Sequence, residues 1–181
     1  MTKRTIILDF SARKHGSCEQ IAEFIAKNCN NSATIYRISE QTIHSCSNCE
    51  YECFAKDKRC PYFDDDEVKI LDEINKSDEV YFIVPNYCGH PPAMLYSFNE
   101  RSVCWFHGNK KLLEQYMSVK KRFIVVSNSK PESFRLAFKM HTNEPEILWL
   151  GASAFGLRSM DGDLMASVEA QSIVRAFVEK S

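Results

Sequence analysis

Five short runs of aliphatic and β-branched residues recur along the chain: RTIILDF at 4–10, ATIYRIS at 33–39, EVYFIVP at 79–85, KRFIVVS at 121–127 and PEILWLG at 145–151. The first is continuous rather than alternating, the pattern of a strand buried on both faces of a parallel sheet, and the others read as further strands. The segments between them have helical apolar spacing and are long enough to cross over. In EQIAEFIAKNC, Ile21, Phe24, Ile25 and Cys29 share one face. DDDEVKILDEINKSD opens with acidic residues suited to a helix N-terminus and directs Val68, Leu71 and Ile74 inward. Pro91 and Pro92 stand near a helix start, ESFRLAFKMH reads as a short helix, and residues 101–120 are less regular, with Gly108 ending a helix. The last helix is expected over 164–180, with Val168, Ala170, Ile173, Val174, Phe177 and Val178 as its apolar stripe. Such β-α alternation predicts an open, mostly parallel sheet covered on both faces, a three-layer α/β/α architecture in a single domain over 1–181.

Composition narrows the function. Acidic and basic residues are mixed along the chain and leave a formal net charge of −1, which argues against nucleic acid as the main partner. No apolar run approaches the roughly 20 residues needed to span a bilayer, and the apolar stretch near the N-terminus is too short for a signal peptide. The expected location is therefore the cytosol, where thiols stay reduced and clustered cysteines read first as metal-binding or redox-active.

In a doubly wound sheet, ligands bind beyond the carboxyl ends of the strands, where the strand order reverses. The loop after the first strand, SARKHGSC, offers the Ser11 and Ser17 hydroxyls, a permissive Gly16, and charge from Arg13, Lys14 and His15. It leads straight into a helix, whose free amides and positive dipole end suit a phosphate monoester. It is neither a Walker loop nor a G-x-G-x-x-G fingerprint. The loop after the third strand, PNYCGHPP, combines Pro85, Asn86, Tyr87, Cys88 and Gly89, a set suited to a planar ring laid against main-chain amides. A phosphate pocket and a flat-ring pocket some distance apart describe the shape of FMN.

These segments resemble the NAD(P)H-dependent FMN reductase family, and most closely its iron–sulfur flavoproteins. Ser11, Arg13 and Gly16 fit a loop similar to S-x-R-x-x-G-x-[ST], with Cys18 in place of the usual hydroxyl residue. Pro85, Tyr87 and Gly89 match a P-x-Y-x-G loop, and FNER at 98–101 is similar to the family's F-x-D-R segment, altered at Asn99 and Glu100. The resemblance implies a flavodoxin-like fold with strand order 2-1-3-4-5, FMN as cofactor, and a homodimer or homotetramer. It also implies a nicotinamide or reduced ferredoxin as donor and a small molecule or redox protein as acceptor. Its cofactor-binding positions here are Ser11, Arg13, His15, Gly16, Ser17, Cys18, Pro85, Asn86, Tyr87, Cys88 and Gly89, with Ser127 and Asn128 able to bond a flavin edge. No catalytic side chain is needed, because the flavin carries the hydride chemistry.

A cysteine-rich insertion at 44–64 spaces its thiols as Cys46-x2-Cys49-x3-Cys53-x6-Cys60. Four thiolates on one irregular loop can hold a [4Fe–4S] cluster or one tetrahedral zinc, or remain unmetallated as thiols or a disulfide. The family motif is similar, with two residues in the middle gap rather than three. Cys18, Cys29 and Cys104 read as small apolar packing residues, and His107 and His141 carry no signal. Two rival functions remain: an FMN-binding electron carrier without its own substrate, and a flavodoxin-fold protein that holds metal for interaction.

Overall fold

The computed structural model describes residues 3–29, 31–46, 49–55 and 59–180. Its five strands are β1 (Arg4–Asp9), β2 (Ser32–Arg37), β3 (Glu79–Pro85), β4 (Lys120–Val126) and β5 (Glu146–Leu150). All neighbours pair in parallel, in the order β2-β1-β3-β4-β5. The helices are α1 (Ser17–Asn28), α2 (Asp66–Asn75), α3 (Ala93–Phe106), α4 (Lys110–Ser118), α5 (Glu132–Phe138) and α6 (Val168–Glu179). This is the flavodoxin-like arrangement expected from the sequence.

The middle of each central strand is apolar because each face has its own core, with charged residues such as Glu79, Lys121 and Arg122 confined to the strand starts. Ile6 and Leu8 of β1, Val80, Phe82 and Val84 of β3, and Phe123 and Val125 of β4 meet Leu71 and Ile74 of α2, Leu95 and Phe98 of α3 and Phe134 of α5. The alternate residues Ile7, Tyr81, Ile83 and Ile124 face Ile21 and Ile25 of α1 and Val174 and Phe177 of α6. Emptying one such site, for example Phe82→Ala, costs about 3–5 kcal/mol.

Two expectations about helices change. The irregular 101–120 region holds two helices, broken where Gly108 takes a φ of 70° and Asn109 accepts the Leu112 N–H at 3.1 Å. The final helix starts at Val168, after a 3-10 turn at Leu164–Ala166, because Ser167 caps it through the Ala170 N–H. Val168 is then a first-turn residue facing solvent, 75% exposed, and Ile173 is 37% exposed. The buried stripe is Ala170, Val174, Phe177 and Val178.

Candidate active site

The strand order reverses between β1 and β3, and the loops leaving the carboxyl ends of the sheet surround a pocket of about 290 Å³. Ser11, Arg13, Gly16, Ser17 and Cys18 line it from the first loop, Pro85, Asn86 and Tyr87 from the third-strand loop, and Ser127 and Asn128 from the fourth. His15, Cys88 and Gly89 are not among the lining residues. The His15 side chain is 89% exposed, and its backbone N–H donates to the Glu19 carboxylate at 2.6 Å.

At the end formed by the first loop, α1 has Gly16 as its N-cap and no side chain capping it. The amides of its first turn are therefore available to an anion. The loop is held from beneath: Asp9 accepts the Ser11 N–H at 2.9 Å, and Ser11 Oγ accepts the Arg13 N–H at 3.2 Å. Asp9 is 2% exposed, and burial pushes its carboxyl up to about 6, with the Glu19 charge adding to the rise and the Ser11 bond and Arg37 opposing it. Burial, then the charge on Asp9, pushes the Cys18 thiol up, so it is a neutral wall residue rather than a nucleophile.

At the end formed by the third-strand loop, Tyr87 and His90 exchange backbone hydrogen bonds of 2.9 and 3.0 Å around Cys88 (φ 52°) and Gly89 (φ 85°). Two successive positive φ values make this a type I′ turn, which presents Tyr87 at the rim. Asn86 ties the turn to its neighbour: its Oδ1 accepts the Gly89 N–H at 2.8 Å and its Nδ2 donates to Ser127 Oγ at 2.7 Å.

The segment after β5 supplies a wall that the sequence reading did not assign, with Ala152, Ser159 and Gly162 in the lining. Arg13 Nη2 donates to the Met160 carbonyl at 2.6 Å, and a Cβ on Gly162 would lie 3.0 Å from Arg13 Cζ. Arg13 thus fastens this wall across the first loop. Asn128 does the same at the other end, accepting from Ser153 N–H and Oγ at 3.0 and 2.9 Å and donating to Ser159 Oγ at 2.9 Å. The signal for this wall was the concentration of glycine between the last strand and last helix, at Gly151, Gly156 and Gly162. Among the described residues, the lining holds no carboxylate or imidazole. Such a surface binds and orients; it does not shuttle protons on its own.

The cysteine loop lies elsewhere, along α3. Arg101, 1% exposed, donates to the carbonyls of His44 and Tyr62 at 3.0 Å each and pairs with Asp65. Glu100 accepts the Cys46 N–H at 2.9 Å. Burial pushes the neighbouring Glu67 carboxyl up to about 9, against the attraction of Arg101. Cys104, read from sequence as a packing residue, belongs to this group: its thiol interacts with those of Cys60 and Cys53, and Cys46 interacts with it in turn. All eight cysteines are free. Among the described residues, no group of three or more His, Cys, Asp or Glu side chains is placed to hold a metal ion. The expected ligand set of Cys46, Cys49, Cys53 and Cys60 is therefore not assembled as a cage.

No protein-family model matches the chain, and no curated protein matches it in sequence. Solved structures do. An azoreductase from Bacillus anthracis str. Sterne aligns over 100% of both chains with a TM-score of 0.69 at 13% identity. An FMN-dependent NADH-azoreductase from Bacillus anthracis str. Ames Ancestor, in complex with FMN, covers 98% of this chain and 99% of its own at TM-score 0.62 and 11% identity. An NAD(P)H:quinone oxidoreductase from Methanothermobacter marburgensis covers 99% and 94% at TM-score 0.60 and 11% identity. At these identities the likeness is one of fold, and it extends along the whole chain.

Proposed function

We propose that the chain is an FMN-dependent NAD(P)H oxidoreductase that delivers electrons to a small acceptor. The observation that carries this reading is the uncapped start of α1 at one end of a pocket whose other end is built by Pro85, Asn86 and Tyr87. The residues fit the cofactor. First-turn amides with the Ser11 and Ser17 hydroxyls suit its phosphate, Pro85 and Tyr87 the face of its ring, and Asn86, Ser127 and Asn128 the polar ring edge. FMN, when bound, supplies hydride acceptance and release of electrons one or two at a time. The protein's share is to neutralise the phosphate with backbone dipoles, fix the ring between two loops and close one side with the Arg13-anchored wall. The comparators that include an FMN complex and NAD(P)H-linked enzymes of the same fold support this assignment.

The test is a titration of the purified chain with FMN, followed by quenching of flavin fluorescence, then anaerobic addition of NADH and NADPH. Saturable uptake and bleaching of the flavin absorption are expected. Ser11→Ala should weaken uptake by about tenfold, the loss of one hydrogen bond to a charged group. Absence of uptake would overturn the reading. Uptake without bleaching by either nicotinamide would instead favour the electron carrier served by a partner reductase.

A further inference from the structure

We propose that Glu19 is a positioning residue for the phosphate of FMN: paired with Arg37, it holds His15 in the left-handed backbone conformation that leaves the amides of Gly16, Ser17 and Cys18 open together. This rests on the flavin reading above and adds to it the side chain that makes the pocket prefer a phosphorylated flavin. Gly16 is the N-cap of α1, so Glu19 stands at the third helical position. A glutamate there ordinarily reaches back to the N-cap amide, which would set a carboxylate on a donor that the anion needs. Here it reaches one residue further. Its Oε2 accepts the His15 N–H at 2.6 Å, and its Oε1 pairs with Arg37 at the end of β2. The Glu19 side chain is 7% exposed, so this arrangement is built into the fold rather than draped on its surface.

The longer reach is possible because His15 has a φ of 57°, a region that residues other than glycine enter at a cost. Two consecutive side chains of α1 hold it there. Glu19 takes its N–H, and Gln20 Nε2 donates to its carbonyl at 3.1 Å while also reaching the Gly162 carbonyl at 3.0 Å. His15 thus serves the pocket through its backbone, and its exposed imidazole comes no nearer to Glu19 Oε1 than 3.7 Å. The loop amides are sorted as a result. Ser11 N–H goes to Asp9, Arg13 N–H to Ser11 Oγ and His15 N–H to Glu19. The N–H groups of Gly16, Ser17 and Cys18 bond no group among the described residues. Arg37 also lies 3.7 Å from Glu23 and 3.9 Å from Glu40, and so offsets the negative charge gathered behind the loop. Glu19 therefore acts as a hydrogen-bond acceptor whose charge is compensated where an anion is to be held.

The test measures the affinities of the full chain for FMN and for riboflavin by quenching of flavin fluorescence, and takes their ratio. Riboflavin lacks the phosphate, so a general loss of structure weakens both ligands, whereas a misplaced loop weakens FMN alone. Glu19→Ala should lower the preference for FMN about tenfold, because an unclamped non-glycine residue spends little of its time in the left-handed region. Adding His15→Gly should recover most of that loss, since glycine enters the region freely. Glu19→Gln keeps an acceptor for the His15 N–H and should keep most of the preference. Arg37→Gln, at a partly exposed position, gives a second reading should Glu19→Ala fail to fold: the unpaired carboxylate should weaken FMN alone, and less so in high salt. Equal losses for both flavins in Glu19→Ala, a Glu19→Gln protein as impaired as Glu19→Ala, or an Arg37→Gln protein with an unchanged ratio would each overturn the role of Glu19 while leaving flavin binding in place. A wild-type chain that takes up neither flavin would overturn the flavin reading itself, and this role with it.

Discussion

Replacing Asp9 with asparagine should stabilise the protein at neutral pH. Asp9 sits beneath the first loop at 2% exposure, beside Glu19 and Glu40, with Arg37 as the opposing cation. Its carboxyl moves from 3.8 to about 6, chiefly through burial. The folded chain therefore holds this proton more tightly than the unfolded one. Stability is fully present below pH 3.8 and is lost as the pH rises through about 6. The gap between those values corresponds to about 3 kcal/mol once the group is charged. Asparagine keeps an oxygen for the Ser11 N–H and removes the charge, so Asp9→Asn should gain up to about 3 kcal/mol at pH 8 and nothing at pH 4. Urea unfolding of both proteins from pH 4 to 8 measures this, and comparing the two cancels the contribution of Glu67. The same substitution should tighten FMN binding above pH 6, because a buried carboxylate beneath an anion site repels the phosphate. A pH-independent difference, or a variant weaker at pH 8 than at pH 4, would refute the reasoning and make the Asp9–Arg37 attraction the dominant effect.

Three further perturbations follow from the geometry. Gly151→Ala would set a Cβ 2.8 Å from Asn128 Oδ1 and 2.9 Å from the Ser127 carbonyl, so it should cost about 1–3 kcal/mol in urea unfolding and weaken FMN uptake; an unchanged midpoint would show that this corner yields freely. Arg101→Met should cost about 3–5 kcal/mol by leaving Asp65 buried without its cation, with partial recovery when Asp65→Asn is added; it should also speed alkylation of Cys60, and a slow, wild-type rate would show that the loop is held by other contacts. His141 should stay neutral at pH 5, since burial among Tyr116 (2.7 Å), Asn99 (2.8 Å) and Lys121 lowers its pKa to about 3. Stability is then lost as pH falls below the ordinary 6.5, and an NMR titration midpoint near that value would contradict this placement.

The strands and the two loops that line the pocket were legible because each rests on a local signal. A strand buried on both faces needs an apolar middle, and the first loop joins a strand to a helix through small and hydroxyl residues. Val168 and Ile173 misled because an apolar residue in a first turn or at a stripe's edge satisfies the same spacing as a core residue. Ser167, three residues before Ala170, was the signal that would have moved the helix start. The wall after β5 was missed because Ser159 and Gly162 act through packing on Arg13 and Asn128, residues distant in sequence.

The place of Cys104 was illegible for a topological reason that also makes it intelligible. In the order β2-β1-β3-β4-β5, the crossovers from β2 to β3 and from β3 to β4 run in the same direction across the sheet. Right-handed crossovers then put α2 and α3 on the same face, where their apolar residues share one core. A long loop that leaves β2 and feeds α2 must pass beside α3. Residues of α3 that face outward from that core are the ones the loop meets, and Glu100, Arg101 and Cys104 lie there. The two alterations in the FNER segment acquire a meaning on this view. Asn99 bonds inward to His141 at 2.8 Å, while Glu100 bonds outward to Cys46 at 2.9 Å. The segment that resembles a flavin-family motif thus serves here to hold the sulfur-rich loop.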